Sequence, residues 1–107
     1  MGTTITAIPN ATTLVNILTV EPDKQATLVD LLRENIENVV SELDGWISTS
    51  LIVANDRQRV IIYSQWRDPA AAAAMQSNAE MRAYFPRILA LAAFDSIVGD
   101  VAFTRAA

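Results

Sequence analysis

Asn16 interrupts the apolar run Leu14-Val-Asn-Ile-Leu18, and Trp66 closes the run Val60-Ile-Ile-Tyr-Ser-Gln-Trp66. An amide in mid-strand runs against β propensity, and burying it without partners costs roughly a few kcal/mol. Asn16 therefore either satisfies another group in the core or faces a cavity and waits for a ligand. Trp66 is either ordinary core or a cavity wall, and its indole N–H needs an acceptor if buried. Arg82 and Tyr84, further along the chain, are residues of the kind that line a pocket mouth, although a polar helix surface accounts for them equally.

The rest of the composition closes off much chemistry. The 107 residues include no cysteine and no histidine. Disulfides, thiolate nucleophiles and Cys-ligated metals are excluded, as are the commonest general base and the usual axial ligand of haem. No acid pair and no Gly-rich phosphate loop stands out, so no metal, flavin or nicotinamide is expected. Twelve acids against eight bases give a net charge of −4, and the bases are scattered. Nucleic acid and anionic membranes both favour a basic face, so neither is expected as a partner. No apolar run approaches the ~20 residues that span a bilayer. The first residues lack the charge and apolar core of a signal peptide, which leads to the expectation of a cytoplasmic protein.

The elements that must position Asn16 and Trp66 follow from periodicity. Residues 1–12, small and Thr-rich, read as an extended arm, with one domain over 13–107. Residues 13–20 form a strand, with Leu14, Asn16 and Leu18 on one face. Glu21-Pro22-Asp23 opens a helix of roughly 22 residues, carried by Leu28, Leu32, Ile36, Val39 and Leu43 and stopped at Asp44-Gly45. Residues 46–54 and 58–67 form a hairpin, with Val60, Ile62, Ser64 and Trp66 sharing a face. Asp68-Pro69 starts an Ala-rich helix, Ser77-Asn78 breaks it, and a further helix runs over about 79–92 with Pro86 as a possible kink. A fourth strand, over 94–104, is weakened at Gly99.

The order βαββαβ predicts an α+β, ferredoxin-like fold with a four-stranded antiparallel sheet. The helices cover one face of it. Strands one and three carry apolar side chains on both faces, so the open face needs a cover, and a second copy of the chain is the economical one. The cavity is then expected between the two sheets, with Asn16 and Trp66 pointing into it on the side away from the helices. An Asn16 packed beneath the helices would instead be a core amide.

The segments Leu14–Val20, Leu43-Asp-Gly-Trp46 and Ile61-Ile-Tyr-Ser-Gln-Trp-Arg-Asp-Pro-Ala70 resemble the antibiotic biosynthesis monooxygenase family, of the dimeric α/β-barrel superfamily. The resemblance covers about residues 13–104. In its cofactor-independent anthrone oxygenases, an Asn on strand one and a Trp closing strand three face the cavity, and Asn16 and Trp66 hold those places. A second Asn, four residues before the Trp, is here Ile62. The haem-degrading branch adds an axial His on the second helix, where this chain has Tyr84-Phe85 and no His.

The resemblance implies a homodimer that oxidises an aromatic, polyketide-like anthrone or hydroquinone to a quinone with O2 and no cofactor. Asn16 and Trp66 are the implied catalytic residues. Leu14, Leu18, Ile62, Ser64, Arg82 and Tyr84 are the expected substrate-binding wall. The alternatives are a non-catalytic small-molecule-binding module of the same fold and a haem-degrading monooxygenase.

Overall fold

The computed structural model describes residues 11–105. Strand β1 is Thr12–Val20, and helix α1, Gln25–Asn38, follows a single 3-10 turn at Pro22–Lys24. Strands β2, Trp46–Val53, and β3, Arg59–Trp66, form the hairpin. Helices α2, Pro69–Ser77, and α3, Ala79–Leu89, precede β4, Ala92–Gly99. The sheet is antiparallel in the order β2-β3-β1-β4, the ferredoxin-like α+β arrangement that the periodicity predicts. The predicted arm over 1–12 falls outside the described residues except at its end, where Thr12 already belongs to β1.

Three expectations need correction. The single long helix is shorter: α1 stops at Asn38, Val39 leaves helical geometry at φ −125°, and a separate 3-10 turn covers Val40–Glu42. Consecutive β-branched residues at 39 and 40 disfavour continuation. Helix α3 runs through Pro86, as expected, but ends at Leu89, short of the expected 92. Strand β4 starts earlier than predicted and stops at Gly99, because its ladder is set by β1: Ala92 pairs with Val20 and Gly99 with Thr13.

Local chemistry sets the junctions. Asp68 caps α2 by accepting the Ala71 N–H at 2.8 Å, and Asn78 caps α3 by accepting that of Met81 at 3.0 Å. Gly45 adopts φ +83°, a left-handed conformation that favours glycine, and a Cβ there would lie 2.5 Å from that of Ala71. The Gly45 carbonyl accepts the Arg67 N–H at 2.7 Å, and Asp44 accepts both terminal amines of the Arg67 guanidinium at 3.2 and 2.9 Å. The α1 side of the fold is thereby tied to the end of β3 beside Trp66. Gln25 makes a second tie, donating to the carbonyls of Ala54 and Arg59 in the hairpin at 3.3 and 3.1 Å.

The core lies between the helices and one face of the sheet. One cluster joins Leu18 and Val60 to Leu28, Leu32 and Ile88. A second joins Leu14 and Trp66 to Val39, Ala71, Ala72 and Met81. The other face of the sheet carries Val15, Ile17, Ile61, Tyr63 and Ile97, and Ile97 is 57 % exposed.

Candidate functional site

The register of the sheet decides which residues meet. Asn16 stands opposite Ile62 on β3 and Ser96 on β4, while Leu14 stands opposite Ser64. All of these share the face on which Leu14, Leu18, Val60 and Trp66 pack against the helices. The expected location on the open face is thus overturned: Asn16 and Trp66 lie on the helix side. The alternation argument placed them together correctly. It assigned the wrong face, because a period of two says which residues share a side and not which side the helices cover.

Asn16 is nevertheless not packed into core beneath the helices. It faces a cavity of about 440 Å³ between sheet and helices, within the range of small-molecule sites. Leu14, Leu18, Ile62, Ser64, Trp66 and Arg82 also line it. Tyr84 does not. It packs against both core clusters, and the Arg87 guanidinium lies 5.1 Å from its ring centre. On α3 the residues that face the cavity are Met81, Arg82, Phe85, Ile88 and Leu89, and Tyr84 falls off that stripe.

The polar groups around this apolar space are few. The Ser96 hydroxyl donates to Asn16 Oδ1 in a short contact, which leaves the amide N–H2 without a hydrogen bond among the described residues. The hydroxyl thereby turns the donor end of the amide away from Ser96. Trp66 is 1 % exposed, and its indole N–H is buried with no acceptor among the described residues. Such a group forfeits about 1–3 kcal/mol of hydrogen bonding. Thr49 accepts the Trp46 indole N–H at 2.8 Å, and Ser64 donates to the Leu14 carbonyl at 3.5 Å, so both are engaged.

Sequence reasoning missed Ser96 and Asn35. Ser96 is legible only once β4 is in register. Asn35 is 4 % exposed, lines the cavity from α1, and its Nδ2 donates to the Met81 sulfur at 3.2 Å. Its signal was its spacing from Leu28 and Leu32, which places it on the inward stripe.

Arg82 is the charged residue in the wall, and no Asp or Glu reaches the cavity among the described residues. Charge elsewhere is structural and exposed. The Asp44 carboxyl sits below its usual range because Arg67 hydrogen-bonds it and lies beside it, and that of Asp68 because it caps Ala71 and meets Arg67. Among the described residues no cluster of three His, Cys, Asp or Glu side chains could hold a metal ion. No helix among them is long and apolar enough to cross a membrane.

The arrangement has relatives. The model of the antibiotic biosynthesis monooxygenase family matches residues 12–87. Tetracenomycin-F1 monooxygenase of Streptomyces glaucescens is 33 % identical over 82 residues, which cover 77 % of this chain and 73 % of that one. Among solved structures, a mutant of SnoaB, a cofactor-independent oxygenase from Streptomyces nogalater, superposes with a TM-score of 0.81 at 16 % identity, over 89 % of this chain and 96 % of that one. The monooxygenase from the ActVA-Orf6 gene of Streptomyces coelicolor, solved with the ligand nanaomycin D, does so with a TM-score of 0.83 at 16 % identity, over 91 % and 92 % of the two chains. The structural likenesses show a shared fold, and the family match over most of the chain adds descent: this protein belongs to the antibiotic biosynthesis monooxygenase family.

Proposed function

We propose that this monooxygenase binds a polycyclic aromatic anthrone or hydroquinone in the cavity between sheet and helices and oxidises it to a quinone with O2, without metal, flavin or nicotinamide. The observation that carries the reading is the amide of Asn16, its Oδ1 held by Ser96 and its donor end unpartnered among the described residues, in a largely apolar cavity that Trp66 helps to wall.

The chemistry draws its electrons from the substrate. An anthrone loses a proton from its CH2 carbon to give an enolate. The enolate passes one electron to O2, giving a carbon radical and superoxide. The two combine in a C–O bond, and a proton makes the hydroperoxide. Loss of water, with the remaining C–H proton leaving, produces the carbonyl, so CH2 and O2 become C=O and H2O. With no carboxylate in the wall, water or a phenolate of the substrate takes the first proton. Asn16 donates to the enolate oxygen as charge grows there. Trp66 stacks on the rings. The Asn16 donor is worth roughly 3 kcal/mol in the transition state when water is excluded. Arg82, at the α3 wall, attracts an anionic substituent. A second copy of the chain is expected to cover the apolar open face of the sheet.

The test is oxidation of an anthrone by protein purified in the presence of a chelator, followed by quinone absorbance and O2 uptake. Turnover without additions is expected. Binding without turnover makes the chain a binding module, and turnover only after adding flavin or iron overturns the substrate-electron route.

A further inference from the structure

In the anthrone oxygenases that this chain resembles, a second amide would stand at position 62; here that place is Ile62, half-buried in the cavity wall. Another buried amide reaches the same space from a different element. Asn35 sits on the inward stripe of α1 after Leu28, Leu31 and Leu32. An amide at a position where leucine would pack imposes a desolvation cost, so it needs partners.

Only half of that need is met. Asn35 Nδ2 donates to Met81 Sδ at 3.2 Å. A thioether sulfur carries lone pairs and no hydrogen, so the nitrogen end of the amide must face it. The sulfur thereby fixes the direction of the amide. Among the described residues no hydrogen bond reaches Oδ1. Asn35 lines the cavity, so that carbonyl is an open acceptor in largely apolar surroundings.

We infer that Asn35 is a specificity-determining residue of this cavity, its side-chain carbonyl accepting the proton of a phenolic hydroxyl on the bound aromatic. The inference rests on the cavity being the substrate site proposed above. A hydroxyl gives its hydrogen to Asn35 Oδ1. A methyl ether lacks that hydrogen and sets a methyl group against an unpaired carbonyl. Sites built to bind a hydroxyl reject analogues that lack it for this reason. The second amide of the cavity is thus supplied by α1 in place of β3.

The experiment is a fluorescence-quenching titration of the purified protein with 2,6-dihydroxyanthraquinone and with its dimethyl ether, under mildly acidic conditions that keep the hydroxyls protonated. The protein should bind the dihydroxy compound about tenfold more tightly. Asn35→Leu should narrow that ratio to about twofold, bind the ether at least as tightly as the wild type does and keep the wild-type circular dichroism. Met81→Leu leaves Asn35 in place and removes the sulfur that orients it, so the ratio should fall to about threefold. This second variant carries the test should Asn35→Leu fail to fold. A tenfold ratio that survives in a folded Asn35→Leu or in Met81→Leu overturns the inference. Equal binding of the two probes by the wild type overturns it while the proposed function stands. Failure of the wild type to bind either probe overturns both.

Discussion

At the scale of single residues, the cavity depends on groups that look wrong for a core. Asn16 takes a place that leucine would fill without polar desolvation, and its Oδ1 is held by an exposed hydroxyl on the neighbouring strand. Asn16→Leu should therefore leave the melting temperature equal or higher and lower activity by about a hundredfold, the scale of one lost oxyanion donor. A thermal melt and a rate assay on that variant check it, and a clear loss of stability would return Asn16 to a structural role. Ser96→Ala frees the amide to turn. It should lower kcat by about fivefold with an unchanged melt, and Ser96→Thr should restore the rate. Trp66→Phe keeps the ring stack and removes an N–H that has no acceptor, so it should cost less activity than Asn16→Leu. Asn16 was legible in the sequence because an amide conflicts with its strand, and Trp66 because the family resemblance marks the residue that closes strand three. Asn35 was not, because a polar residue on a helix is unremarkable until the stripe that faces the core is known.

At the scale of elements, the sharp turn into β2 and the cap of α2 hold the walls in place. Gly45→Ala puts a Cβ against Ala71 at 2.5 Å on a backbone at φ +83°. It should destabilise by at least about 1 kcal/mol, visible as a melting point several degrees lower. Asp68 is different in kind, because its effect depends on pH. The Ala71 N–H and then Arg67 lower its pKa, so its contribution is present above the ordinary carboxylate range and lost as pH falls through the lowered folded value. Asp68→Asn keeps the capping oxygen and removes the titration. Its melting temperature should change less with acidification below about pH 5 than that of the wild type. The cap at Asp68, the break at Ser77-Asn78 and the left-handed Gly45 were readable as local chemistry. The end of α1 at Asn38 was not, since the apolar spacing continues through Val39 to Leu43 while the backbone changes.

At the scale of the whole molecule, the open face of the sheet is where a second copy of the chain is expected to pack. Val15, Ile17, Ile61 and Ile97 leave it apolar at its centre, which is the feature that led to the expectation of a dimer. Sedimentation at micromolar concentration should give twice the 11.7 kDa chain mass. Ile17→Lys, at the middle of that face and away from the cavity, should give a folded monomer. A wild-type monomer would refute this pairing.

Local chemistry and alternation were enough to read element order, helix caps, the hairpin and the grouping of Asn16 with Trp66. All of these follow from neighbours along the chain or from periods of two and of 3.6. The resemblance to the monooxygenase family was carried by three short segments, along β1, at the start of β2 and along β3 into α2. Tertiary packing settled the rest. The sequence marks two apolar faces on β1 and β3 and cannot say which of them the helices cover, because that choice is made by the right-handed crossovers that carry α1 and the α2–α3 pair over one side. Packing put the cavity under the helices and brought Ser96 from β4 against Asn16. It also joined Asn35 to a sulfur 46 residues away in the chain. Each of these depends on side chains that are distant in sequence, and only the packed sheet and helices bring them within reach.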